Sequence, residues 1–144
     1  MQDNSSGNKP LSSDFYFMES EEEAVRLDIK TDPAAVRDQA LWCGVVPGIR
    51  VLDAGCGAGI TTSILGQMVH PGGSVLGLDY SRERIEYAAA HYGQGGNIAF
   101  ELHDLRKPLD SHGSFDLIWI RFVLEYHRVG ATDIVSNLIR SKLR

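Results

Sequence analysis

The chain has 144 residues, 43% of them hydrophobic and 23% charged, with a formal net charge of -5 and a pI of about 5.4. That is the size and composition of one globular domain and excludes a disordered or repetitive chain. The acidic balance argues against a domain that grips nucleic acid by neutralising phosphates, leaving at most a local basic patch. No apolar run approaches the ~20 residues of a membrane helix. Cys43 and Cys56 are too few for a disulfide framework or a thiolate metal site. Met1 to Ser13 is polar and lacks a signal-peptide core, so the cytoplasm is the expected compartment.

Residues 1–14 read as a loose tail of Ser, Asn, Gly and Asp. Ser20-Glu21-Glu22-Glu23 is a capping-box pattern that opens a helix through about Lys30. Asp32-Pro33 is a second start, with Asp as N-cap and Pro at the first helical position. Val36, Ala40 and Cys43 recur at helical spacing until Gly44 stops the helix, and Val45 to Gly48 turn the chain. From there strand and helix alternate. Val51 and Leu52 lead a buried strand into a glycine loop. Ile60, Ile64, Leu65 and Met68 mark one face of a helix that Pro71-Gly72-Gly73 ends. Val75, Leu76 and Leu78 form a second strand. Ser81 caps the next helix, whose face is Ile85, Ala88, Ala89 and Tyr92. Asn97–Leu102 is a third strand and Phe115–Ile120 a fourth, apolar on both faces. A last helix from about Thr132 carries Ile134, Val135, Leu138 and Ile139. Near-continuous apolar strands joined by crossover helices predict an α/β domain: a parallel sheet of about four strands between two helix layers.

The strongest chemical signal is Asp53-Ala54-Gly55-Cys56-Gly57-Ala58-Gly59. It sets a carboxylate at a strand end and glycines in the following loop, where a missing side chain lets a ligand approach the backbone. Asp79 ends the second strand, where a carboxylate accepts from ribose hydroxyls. Asp104 follows the third strand. Singly, Asp79 or Asp104 has the turn cap as its lesser alternative; three acids at the carboxyl edge of one parallel sheet mark a site. The loop departs from the dinucleotide pattern G-x-G-x-x-G, because Ile60 stands where the last glycine belongs, and there is no phosphate loop. An acid at the loop repels a pyrophosphate and favours an ammonium group. The expected ligand therefore carries an amino-acid end near the loop and a ribose near Asp79.

Those segments, with His103-Asp104-Leu105 and Phe115-Asp116-Leu117-Ile118-Trp119-Ile120-Arg121-Phe122, resemble the successive motifs of Rossmann-like S-adenosylmethionine-dependent methyltransferases. Small-molecule enzymes akin to the quinone-biosynthesis methyltransferases are the nearest subgroup, and the resemblance spans about residues 33–143. It implies S-adenosyl-L-methionine as cofactor and S-adenosyl-L-homocysteine as product. It also implies roles. Gly55 and Gly57 meet the methionine moiety, within the cofactor-binding run Asp53, Ala54, Gly55, Cys56 and Gly57. Asp53 faces the ammonium group, directly or through water. Asp79 holds the ribose hydroxyls and Tyr80 lies against the adenine. Asp104 accepts from the adenine amino group beside the backbone of Leu105, and the backbone of Ile120 and Arg121 lines the methionine side. Phe15–Lys30, with Tyr16 and Arg26, resembles a lid helix and reads equally as a plain surface helix.

The domain reading is a tail over 1–14, a helical lid segment over 15–32 and a cofactor-binding domain over 33–144. The expected partner is a small-molecule methyl acceptor; no strong nucleic-acid signal and no membrane segment stand beside it. The fourth strand carries neither an Asn/Asp-Pro-Pro-aromatic run nor Pro-Cys, which lowers nucleobase acceptors. The five histidines show no metal spacing. His103 reads as a pocket-edge or locally bonded residue. His127 and Glu125 are candidate bases or solvated loop residues. Cys56 is a candidate nucleophile or a small residue that suits the turn. The family's sheet has seven strands and four are legible here. The expectation is a fragment lacking strands five to seven, with weak or absent transfer, and Leu117 to Ile120 as an exposed apolar edge open to aggregation or a second copy. Competing readings are a non-catalytic cofactor- or protein-binding domain and, more remotely, a nicotinamide oxidoreductase.

Overall fold

The computed structural model describes Glu22, Val25, Arg26 and residues 30–127 and 129–143. The expected tail and Tyr16 lie outside these residues, whereas Glu22, Val25, Arg26 and Lys30 are helical and exposed. Helix α1 (Pro33–Trp42) starts as the sequence requires: Asp32 Oδ1 accepts from Ala34 N at 2.9 Å and Pro33 takes the first position. It buries Val36 and Ala40. There follow β1 (Arg50–Ala54), α2 (Ile60–Val69), β2 (Ser74–Asp79), α3 (Arg82–Tyr92), β3 (Ile98–Leu102), β4 (Leu117–Ile120) and α4 (Ala131–Lys142). Among the described residues, no helix is long and apolar enough to cross a membrane.

The four strands form one parallel sheet in the order β3-β2-β1-β4. The chain steps outward from β1 to β3, then returns to the other side of β1. That reversal opens a crevice beyond the carboxyl ends of β1 and β4. Strand alternation sorts the side chains into two layers. Val51, Val75 and Trp119 pack under α1 and α2, against Val36, Ala40, Ile64, Leu65 and Val69. Leu52, Ala54, Leu76 and Leu78 pack on the opposite face against Ile134 and Leu138 of α4. Each fully buried Leu, Ile or Val contributes roughly 1.5–3 kcal/mol, so both layers are needed to hold the sheet. The expected three-layer parallel α/β fold is therefore present.

Local differences have local causes. Ala89 and Ile139 are exposed rather than on their helices' inner faces, because α3 and α4 turn Ala88, Ile134 and Leu138 inward instead. β3 starts one residue late, at Ile98, although Asn97 O still accepts from Val75 N at 2.9 Å while the Asn97 side-chain amide donates to Gly66 O at 2.9 Å. β4 starts at Leu117 rather than Phe115. Asp116 Oδ2 accepts from Arg50 N and Asp116 N donates to Arg50 O, both at 2.8 Å, which pins the strand entry. Phe115 is buried beneath the Arg50 guanidinium and pairs with Leu143 through a single parallel bridge. The expected exposed apolar edge needs correction. Trp119 is buried, and Leu117, Ile118 and Ile120 are half-buried between the helix layers. What β4 leaves open is backbone.

Candidate functional site

A cavity of about 900 Å³ runs along the carboxyl ends of the strands. That volume suits a small-molecule ligand, for which about 300–1,000 Å³ is usual. Its wall begins with the loop after β1. Gly55 N and Cys56 N both donate to Leu78 O, at 2.7 and 2.8 Å, tying the loop to β2. Gly55 has φ +83°, and a Cβ there would overlap Val123 Cγ2. Gly57 has φ +56° with nothing within 4 Å of a Cβ, and it lines the cavity. Thus Gly57 matches the reason given for glycine, open approach to the backbone. Gly55 answers first to the protein's own packing.

The three acids all reach the cavity but in different states. Asp79 is 5% exposed; its Oδ2 accepts from Gly57 N at 3.0 Å and its Oδ1 from Ser81 N at 2.9 Å. It shapes the loop, and each carboxylate oxygen retains capacity to accept a further hydrogen bond. Asp53 is 3% exposed and accepts from Thr62 Oγ1 at 2.7 Å. Burial pushes its carboxyl up to about 7, against the Thr62 hydroxyl that holds it down, and the nearby Asp79 charge adds to the rise. Asp104 meets the Arg106 fork: Nε donates to Oδ1 at 2.9 Å and Nη2 to Oδ2 at 2.8 Å. That guanidinium holds Asp104 down at about 2.

Cys56, Tyr80, Leu105 and Arg121 also line the cavity. Tyr80 is exposed beside it and Leu105 is buried. Ala54 and Ile120 do not line it: they are register partners on the face that packs toward α4. Period-two alternation puts their neighbours Asp53 and Trp119 on the cavity side instead. Burial, with the charges of Asp53 and Asp79, pushes the Cys56 thiol well above its ordinary range, which disfavours a thiolate nucleophile and leaves the small turn residue. His103 lines the cavity and its Nε2 lies 3.2 Å from Lys107 O, so both expected roles meet in one residue. His127 lines the cavity; Glu125 does not.

The structure adds residues to which the sequence reasoning gave no individual role in the site. Thr62 bonds Asp53, Arg106 forks Asp104, and Lys30, Trp119 and Phe122 line the cavity. Phe122 has φ +58°, rare for a side chain of this size, and stands exposed under the Arg121 guanidinium. The Asp104-x-Arg106 spacing was a readable signal. Trp119 was not, because its side of the sheet depends on the register between β1 and β4.

Residues 51–142, more than half of the chain, match the family described as "Methyltransferase domain". The chain belongs to that family. Within it, the methyltransferase domain is 34% identical over 74 residues to a nocamycin O-methyltransferase of Saccharothrix syringae, covering 50% of this chain and 26% of that protein. It is 36% identical over 84 residues to a demethylmenaquinone methyltransferase of Lactococcus lactis, covering 56% and 33% respectively. The chain thus spans about a quarter to a third of the curated relatives it matches. A TehB-like SAM-dependent methyltransferase structure from Corynebacterium glutamicum superposes with a TM-score of 0.67 at 25% identity, covering 87% of this chain and 67% of that one. These relatives agree with the expected family and cofactor class and leave the nicotinamide reading without support.

Proposed function

We propose that the cavity binds S-adenosyl-L-methionine and that the protein transfers its methyl group to a small-molecule acceptor, releasing S-adenosyl-L-homocysteine. The observation that carries this reading is the convergence of Asp53, Asp79 and the open backbone at Gly57 on one cavity at the β1/β4 switch. The residues fit the group. A Cβ at Gly57 would enter open space, a buried carboxyl with a raised pKa waits where an ammonium would settle it, and an exposed tyrosine stands beside the ribose-binding acid.

In this reading Asp79 accepts from the ribose hydroxyls while holding the loop through Gly57 N. Asp53 faces the ammonium group, whose charge favours the ionised carboxylate. Tyr80 covers the adenine; Asp104 accepts from its amino group, and the Leu105 backbone lies at its edge. When bound, the sulfonium would supply an already activated methyl group, with the neutral thioether as the in-line leaving group. The chain's own contribution is alignment, worth at best roughly 7–11 kcal/mol. Arg121, Phe122 and His127 line the remaining wall, where the acceptor enters; His127 serves as base if that acceptor arrives protonated. A small acceptor is supported by the nocamycin and demethylmenaquinone relatives, both named for small molecules.

Calorimetry with S-adenosylhomocysteine tests the reading, using Asp79→Ala as control and NAD as competitor. The expected result is binding that NAD leaves untouched and Asp79→Ala weakens roughly a hundredfold, as befits hydrogen bonds to a charged group. Absence of binding, or displacement by NAD, would overturn it.

A further inference from the structure

Trp119 Nε1 is the single buried side-chain donor without an acceptor among the described residues. Trp119 is only 7% exposed, and an orphaned buried N–H is uncommon enough in a folded protein to call for an explanation. The same ring lines the cavity. Trp119 is also the register partner of Asp53 on the adjacent strand, so the two side chains leave the same face of the sheet side by side. Neighbouring strands lie about 4.8 Å apart, which sets the scale of their separation.

We infer that Trp119 is a cofactor-positioning residue whose indole N–H donates to the α-carboxylate of the methionine moiety. This rests on the cofactor reading above. The partner of an indole N–H must be an acceptor, because the indole can only donate. The ammonium and carboxylate of an α-amino acid are attached to one carbon. A ligand that places its ammonium on Asp53 therefore brings its carboxylate to the next strand, where Trp119 stands. Lys30 lines the same cavity and adds a positive charge suited to that carboxylate. The N–H is closed to solvent, so the proposed contact requires the ring to turn toward the cavity that Trp119 lines. Asp53 and Trp119 together thus read both charges of an amino-acid zwitterion, and a ligand lacking the carboxylate forfeits half of that recognition.

Decarboxylated S-adenosylmethionine tests this, since it keeps the adenine, ribose, sulfonium and ammonium groups and lacks the carboxylate. The wild-type chain, labelled with nitrogen-15, reports through its indole N–H resonances. Trp42 is 89% exposed and serves as the internal control. S-adenosylmethionine should shift the Trp119 resonance and slow its exchange, while the decarboxylated compound leaves it in place. Trp119→Phe keeps a ring in the core and removes the donor. It should weaken S-adenosylmethionine on the order of tenfold to a hundredfold and leave the decarboxylated compound within about twofold. A Trp119 resonance that answers both compounds alike, or neither while both bind, would overturn the inference alone. So would equal losses of both ligands in a folded Trp119→Phe. Failure of the wild type to bind either compound would overturn the cofactor reading and this inference with it.

Discussion

The ends of β1 and β3 carry the same residue type and reach the same cavity, yet the fold puts their acids in opposite states. Asp53 lies beneath the loop with a single hydroxyl donor, and burial raises its carboxyl to about 7. Asp104 sits on an edge-strand turn, and the Arg106 fork lowers it to about 2. A carboxylate's environment, not its place in a motif, decides whether it waits for a cation or is already neutralised by one. Under the proposed function, the buried acid has its charge held back until the cofactor's ammonium brings the counterion. The outer acid keeps its charge but shares it with a neighbour that a ligand must displace or accommodate.

The largest effect that sharpens this contrast comes from Asp53→Asn. The folded carboxyl binds its proton more tightly than the unfolded one, whose value is 3.8. Between about 4 and about 7 the folded state therefore holds more protons, and stability falls as pH rises through that window, levelling off above it. The total is up to roughly 4 kcal/mol. Asp53→Asn keeps an acceptor for Thr62 and should flatten the slope in urea melts taken from pH 4.5 to 8. A wild type with no slope there would mean that Asp53 is already ionised. Ligand binding below pH 7 should also release a proton, visible as a calorimetric enthalpy that varies with buffer ionisation and ceases to vary in Asp53→Asn.

A second, smaller effect separates the glycines of the same loop. Gly55→Ala must push Val123 aside at a positive φ, and should cost about 2–4 kcal/mol in denaturant melts from strain and overpacking together. Gly57→Ala meets open space, so its melting should change by only about 1–2 kcal/mol from the left-handed backbone, while S-adenosylhomocysteine binding weakens. Equal destabilisation by both would show that Gly57 too is held by packing.

The smallest effects belong to the outer acid. Arg106 is exposed and Asp104 half-buried, so Arg106→Ala should leave the denaturant midpoint nearly unchanged. Asp104's contribution is present above its unfolded value of 3.8 and fades as pH falls toward about 2, which confines it to the acid limb. In binding, Asp104→Asn should weaken S-adenosylhomocysteine by about tenfold and Arg106→Ala by less than about threefold, measured by calorimetry. A larger loss with Arg106→Ala would make the guanidinium a ligand contact rather than a partner of Asp104.

Much of this was legible from the chain because it is written in local rules. Asp32-Pro33 caps a helix by backbone chemistry, buried strands are near-continuous apolar runs, and an acid followed by glycines at a strand end marks the carboxyl edge of a parallel sheet. Order along the chain was therefore enough for the layered α/β fold and for the three acids. Partners across the sheet were not legible. That Trp119 stands beside Asp53, while Ala54 and Ile120 turn toward α4, depends on a register between strands 66 residues apart. Nor does the spacing of Asp53 and Asp104 tell which carboxyl is buried and which meets a guanidinium. Those outcomes come from desolvation and charge in three dimensions, and only the packed tertiary structure supplies both.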